Sequence, residues 1–153
     1  VREIALHILD IVENGINAGA DLVRITVEEN RTENLLRISI GDNGRGMAKE
    51  LLEKALDPFF TTRTTRRVGL GLSLFKEAAK RCEGNFEISS AEGKGTEVKA
   101  SFRLNHIDLA PLGDMAGSLT SLIMGNPMVD FVYIHSMDGK EFRLDTKDRK
   151  SVV

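Results

Sequence analysis

Asp10, Asn14 and Asn17 follow one another at i, i+4 and i+7, and His7 and Glu13 lie near the same line. On a helix turning about 100° per residue, this spacing collects carboxylate and amide oxygens on one face. Such a stripe is also what a solvated helix face looks like. It has a sharper reading as well: a carboxylate and an amide one turn apart can hold Mg²⁺ and orient a water. Mg²⁺ takes oxygen ligands, keeps several of its waters and often shares phosphate oxygens with a bound substrate.

Two glycine segments lie downstream. Asp42-Asn43-Gly44-Arg45-Gly46-Met47 follows an alternating apolar run. Gly44 and Gly46 permit positive φ and close backbone approach to a ligand. Asp42, at a strand end, can accept hydrogen bonds from an exocyclic amine such as that of adenine. The same residue types also make ordinary turns. Gly69-Leu70-Gly71 opens a helix, where free N–H groups attract anions and glycines let phosphates come close. Between the two segments, beside Phe59-Phe60, runs an aperiodic stretch carrying Arg63, Arg66 and Arg67. Next to a phosphate site it reads as a lid, and otherwise as a solvated loop. No Gly-x-x-x-x-Gly-Lys-Ser/Thr segment occurs, which excludes a P-loop.

These residues need elements to hold them. Ile4, Ala5, Ile8, Leu9, Ile11, Val12 and Ile16 recur at helical spacing and predict a helix over 2–18. Alternation predicts strands at Leu22–Glu28 and Leu35–Ile40, joined by a hairpin loop over 30–34. A short helix is expected at Lys49–Leu56, ending before Pro58, and a longer one from Gly69 to about Cys82, stopped by Gly84. Strands Phe86–Ser89 and Val98–Leu104 flank a turn over 91–95. The tail reads as a helix at Met115–Met124 and a hairpin, Val129–His135 with Glu141–Asp145, around Met137-Asp138-Gly139-Lys140.

The 153 residues fit one domain with a small appendage. Apolar residues at 41% and charged residues at 29% are ordinary for a soluble chain. A net charge of −2 disfavours nucleic acid as the main partner. The lone Cys82 cannot form an internal disulfide, and it reads as a small buried hydrophobe. No apolar run reaches the roughly 18 residues of a membrane span and no signal-peptide pattern is present, so a cytoplasmic protein is expected.

The order of the segments carries a family resemblance. Asp10-Ile11-Val12-Glu13-Asn14-Gly15-Ile16-Asn17-Ala18-Gly19-Ala20 resembles the N box of GHKL proteins, closest in character to that of MutL. Asp42 to Met47 resembles the G1 box. Asp57-Pro58-Phe59-Phe60-Thr61-Thr62-Arg63 resembles the F box of histidine kinases, and Gly69-Leu70-Gly71-Leu72-Ser73-Leu74 resembles the G2 box. Gly93-Lys94-Gly95-Thr96 is similar to the family's closing Gly-Thr element. The resemblance covers about residues 4–104. It implies a Bergerat ATP-binding fold: an α/β two-layer sandwich in which one mixed sheet carries helices on one face. Residues 1–104 would form the ATP-binding domain. Residues 105–153 would be an extension packed on it, whose hairpin replaces a strand the family usually sets beside the first helix or covers a sheet edge; the alternative is a docking or dimer element.

The resemblance also implies roles. Asn14 would bind Mg²⁺, and Asp42 would recognise adenine with Thr96 nearby. Asn17, Gly44, Gly46, Met47, Phe59, Thr62, Gly69, Leu70, Gly71 and Leu72 would line the nucleotide. Asp10 stands where ATPase and serine-kinase branches carry a glutamate as general base, with Glu13 as runner-up, and Arg63 is the first choice for a lid arginine. Arg67 and Val68 stand where histidine kinases often have Gly and Thr. The stretch before the N box holds no phosphoacceptor helix, and His7 is expected on the polar stripe, with His106 and His135 at structural or surface positions. The tail is short for the transducer domain of topoisomerases and MutL. A protein kinase of the anti-sigma-factor type, or the catalytic half of a split histidine kinase, using ATP and Mg²⁺ on a partner's Ser, Thr or His is therefore the leading expectation, with a protein substrate or regulator (a phosphoacceptor or a sigma or anti-sigma type of protein) as partner and a homodimer as one assembly. A non-enzymatic nucleotide sensor and a MutL-type clamp are the alternatives.

Overall fold

The structure is a computed structural model that describes residues 3–57 and 70–147. Helix α1 spans Ile4–Asn17, and Ile4, Ile8, Ile11 and Val12 are buried along it. Its N-cap, Glu3, makes no side-chain cap. Instead the first-turn N–H groups of Ile4 and Ala5 donate to the carbonyls of Pro111 and Leu112, which straps the segment after the fourth strand across the start of the helix. The helix ends in a Schellman pattern: the Ala20 N–H donates to the Gly15 carbonyl, and Gly19 takes φ 87°.

Strands β1 (Leu22–Asn30) and β2 (Leu35–Asp42) form the expected hairpin, followed by α2 (Lys49–Ala55), α3 (Leu70–Arg81), β3 (Phe86–Ala91) and β4 (Gly95–Arg103). The tail adds α4 (Met115–Gly125), β5 (Asp130–Met137) and β6 (Lys140–Asp145). All six strands make one sheet in the order β3-β4-β2-β1-β5-β6. Neighbours are antiparallel except β1 and β5, which pair in parallel from Leu22↔Asp130 to Glu29↔Met137. The tail hairpin thus joins the sheet along the outer side of β1.

Alternation sorts the sheet into two faces. Val23, Ile25 and Val27 of β1, Leu36, Ile38 and Ile40 of β2, Val98, Ala100 and Phe102 of β4, and Phe131 and Tyr133 of β5 are buried in one core with α1, α3 and α4. Arg24, Thr26, Arg37, Ser39, Lys99 and Ser101 point the other way. Burying each of Phe75, Phe102 and Phe131, all almost wholly inaccessible, is worth about 1.5–3 kcal/mol. The fold is the mixed-sheet α/β sandwich expected from the sequence.

One expectation fails. His7 is buried rather than on the polar stripe, with its ring 5.5 Å from that of Phe75. It stands three residues after Ile4 and four before Ile11, which puts it on the apolar face.

Candidate functional site

Helix α1 carries a glycine in its interior, which costs about 1 kcal/mol against alanine unless something needs the space. The neighbour that needs it is Asp42. A Cβ on Gly15 would stand 2.5 Å from Asp42 Oδ2 and 2.7 Å from its Cγ. The end of β2 and the last turn of α1 therefore meet through a carboxylate laid against bare helix backbone. Asn14 and Asn17, on either side of Gly15, line the cleft that Asp42 enters; Ile11, Ala18, Arg45, Gly46, Met47, Leu51, Leu72 and Thr96 complete it.

Asp42 is held from its own strand side. The Gly44 N–H donates to Oδ1 at 2.8 Å, and Thr96, its β4 partner in the ladder, donates a backbone hydrogen bond to it as well. Burial raises the carboxyl above its ordinary value, and the two N–H donors partly offset that rise. Thr96 is fixed in turn by a 2.8 Å hydroxyl–hydroxyl bond to Ser90. The Ser90 oxygen also accepts the Met47 N–H at 2.8 Å.

The loop after β2 is shaped by its glycines. At Gly46, with φ 70°, a Cβ would lie 2.0 Å from the Ala91 carbonyl oxygen. A Cβ on Gly44 would meet the Cβ and carbonyl of Ala18 at 3.1 Å. Asn43 braces this loop: its Oδ1 accepts the N–H groups of Asp21 and Leu22 at 2.9 and 3.0 Å, and its Nδ2 donates to Asp21. Its amide is thereby committed to the scaffold, leaving Asp42 and Arg45 as the charged side chains that the segment brings to the cleft.

At the other end, Gly71 sits in the first turn of α3, where a Cβ would approach Asp10 Cβ to 2.9 Å. Asp10 therefore packs against the start of α3, one helical turn before Asn14. Glu13 lies elsewhere, in the groove between α1 and α4 with Leu9, Ile16 and Asn17. Leu72 is buried behind the cleft. Leu70 begins α3. Phe59, Thr62, Arg63 and Gly69 lie outside the described residues, as do Arg66 and Arg67.

The cleft brings together the two kinds of group the sequence reading asks for: a half-buried carboxylate, which suits an amine donor, and the amides of Asn14 and Asn17 on α1, which suit a hydrated cation. Among the described residues no cluster of three His, Cys, Asp or Glu side chains could hold a metal by itself. Asn14 supplies one amide oxygen, which suits an ion that takes its remaining ligands from phosphate and water. Sequence reasoning undervalued Gly15 and Ser90. The interior helix glycine was a visible signal, whereas Ser90 offered none, because its role depends on which residues face it across the sheet.

Similarity to known proteins agrees with this geometry. A "Putative sensor protein" of Shewanella frigidimarina (strain NCIMB 400) is 36% identical over 103 residues, 66% of this chain and 16% of that protein. A "Putative sensor histidine kinase NtrY-like" of Rickettsia bellii (strain RML369-C) is 28% identical over 109 residues, 71% of this chain and 18% of that protein. The chain thus spans under a fifth of these relatives. Among solved structures, the Aquifex aeolicus MutL ATPase domain complexed with ADP superposes with a TM-score of 0.59 at 18% identity, covering 95% of this chain and 63% of that one. Among the described residues no helix is long and apolar enough to cross a membrane. The family model for histidine kinase-, DNA gyrase B-, and HSP90-like ATPases matches residues 2–106, and the chain belongs to that family as a GHKL ATP-binding domain.

Proposed function

We propose that this domain holds ATP with Mg²⁺ and passes the γ-phosphate to a Ser, Thr or His of a partner protein. The observation that carries the nucleotide part is the meeting of α1 and β2 at Gly15 and Asp42, with Asn14 in the same cleft. Kinase activity is supported by the sensor histidine kinase among the relatives and by the histidine-kinase-like Asp57-Pro58-Phe59-Phe60 segment.

In this reading Asp42 accepts the adenine amine, and the Thr96–Ser90 pair keeps the strand ends beside it in register. Asn14 gives its amide oxygen to Mg²⁺, with Asn17 beside it at the cleft wall. The ion, when bound, neutralises phosphate charge. Gly69, Leu70 and Gly71 are assigned to the phosphates, because the free N–H groups where a helix such as α3 begins attract anions. Asp10 is assigned the role of orienting the attacking group, in preference to Glu13, because Asp10 abuts the turn of α3 and Glu13 lines a different groove. Arg63 is assigned to charge stabilisation, which in phosphoryl transfer supplies most of the catalysis together with positioning.

A second reading, a nucleotide sensor without chemistry, draws on Asp10 itself. Aspartate is one methylene shorter than glutamate, and this one is packed against Gly71. Incubation with γ-labelled ATP and co-purifying proteins separates the two. Transfer of label to a partner, lost in Asn14→Ala, supports the kinase. Tight nucleotide binding with no label on any partner contradicts it.

A further inference from the structure

Strand β6 is the last in the sheet order, and among the described residues nothing pairs with its outer side. Unpaired strand edges recruit other strands unless something blocks them. The backbone phase of β6 follows from its hairpin. Asp138 and Gly139 take φ 47° and 88°, the two positive values of a two-residue type I′ turn, so Met137 and Lys140 form the hydrogen-bonded pair that closes it. Alternation then turns Phe142 and Leu144 inward to β5 and leaves the N–H and C=O groups of Glu141, Arg143 and Asp145 facing out. Two further bonds agree with this phase. The Phe131 N–H donates toward the β6 side, to Thr146 Oγ1 at 2.8 Å, and the Asp130 N–H donates to Asp21 at the head of β1.

We propose that two copies of this chain pair antiparallel through β6, about a twofold axis at Phe142, to make a continuous sheet. The side chains select both the occupant and the register. With Phe142 opposite its own copy, Glu141 faces Arg143 of the second molecule and Arg143 faces its Glu141, both at hydrogen-bonded positions. Moving the register by two residues one way sets Arg143 against Arg143 and Glu141 against Asp145. Moving it the other way sets Glu141 against Glu141. Odd shifts place outward donors opposite inward-facing residues. A register about Leu144 also matches the backbone and sets Arg143 against Asp145, but within β6 (Lys140–Asp145) it pairs only residues 143–145 of each copy, whereas the register about Phe142 pairs residues 140–144 and is the longest that matches charge and backbone together. It also covers Phe142, which is 58% exposed and whose ring lies 6.3 Å from that of Tyr133. At the non-hydrogen-bonded position on the axis the two strands come closest, about 4.5 Å between Cα atoms, so the two phenyl rings meet. A contact of one short strand per partner falls below the roughly 800 Å² per side of a stable interface, so the dimer is a weak, concentration-dependent one.

Sedimentation velocity on the full chain from about 10 μM to about 1 mM tests this. The wild type is expected to shift from monomer to dimer. Arg143→Glu and Glu141→Arg, each alone, place like charges opposite each other twice and should weaken dimerisation by about tenfold or more. An equimolar mixture of the two single variants makes both cross-strand pairs complementary again and should dimerise like the wild type, as should the double exchange Glu141→Arg with Arg143→Glu. Circular dichroism, and ATP binding at a cleft that β6 does not line, report whether each variant is folded; a single variant that does not fold leaves the double exchange to decide. A wild type that stays monomeric throughout overturns the proposal. So do single variants that dimerise unchanged, or a folded mixture and double exchange that do not recover. The nucleotide reading stands or falls separately, because the cleft lies between α1, β2 and β4.

Discussion

Asp42 lies half-buried against Gly15, and burial makes its ionised form costly even with two N–H donors on it. An amine-bearing ligand needs that ionised form. Asp42→Asn keeps the shape and can still accept the Gly44 N–H, but it removes the buried charge. Thermal melting should therefore show a variant at least as stable as the wild type. Calorimetry should show it losing about ten- to a hundredfold in ATP affinity, the range for one charged hydrogen bond. The pH dependence carries the same sign. The folded-state pKa of Asp42 is raised, so its contribution to stability is present at low pH and fades as pH rises through that value. Nucleotide affinity should run the opposite way, falling as pH drops through the same value. Gly15→Ala is the companion test. The new methyl stands 2.5 Å from Asp42 Oδ2, so ATP affinity should drop by more than about tenfold. Urea melts should change little, because an alanine gains roughly 1 kcal/mol of helix propensity that offsets the crowding. Asp42 and Asn14, which line one cleft, could be singled out from the sequence because each sits in a local motif. The contact between Gly15 and Asp42 was not, since it joins residues on separate elements.

At the scale of elements, local periodicity placed α1, both hairpins and the strands on either side of Gly93 within a few residues of where they lie. It could not say where the tail hairpin would go. Alternation along β1 shows two faces but not which edge has a neighbour, and a parallel partner such as β5 has no short connection to reveal it. His7 shows the other limit: its polar type argued for the solvent stripe, and its spacing from Ile4 and Ile11 decided for the core. The loop after β2 makes its own prediction. Gly46 has positive φ, and its missing Cβ leaves room for the Ala91 carbonyl. Backbone cannot step aside as a side chain can, so Gly46→Ala should cost more than about 2 kcal/mol in urea denaturation.

The whole molecule depends on β1 being an interior strand. Val23, Ile25 and Val27 are fully buried, with β2 on one side and β5 on the other. His135 ties the two strands further, its Nε2 2.7 Å from Glu29 Oε2 and its Nδ1 3.0 Å from the Tyr133 hydroxyl. Although the family model ends at residue 106, a chain cut there would leave β1 as an open apolar edge. Gel filtration of residues 1–106 should show aggregate rather than a monomer; a folded, monodisperse fragment would mean that the tail is an independent addition. The central claim is that one nucleotide spans the cleft from Asp42 to Asn14, and calorimetric titration of ATP with and without Mg²⁺ tests it most directly. Asp42→Ala should lose affinity under both conditions. Asn14→Ala should keep the Mg²⁺-free affinity and lose the gain that Mg²⁺ gives the wild type. ATP binding by Asp42→Ala that equals the wild type, at any Mg²⁺ concentration, would contradict the account.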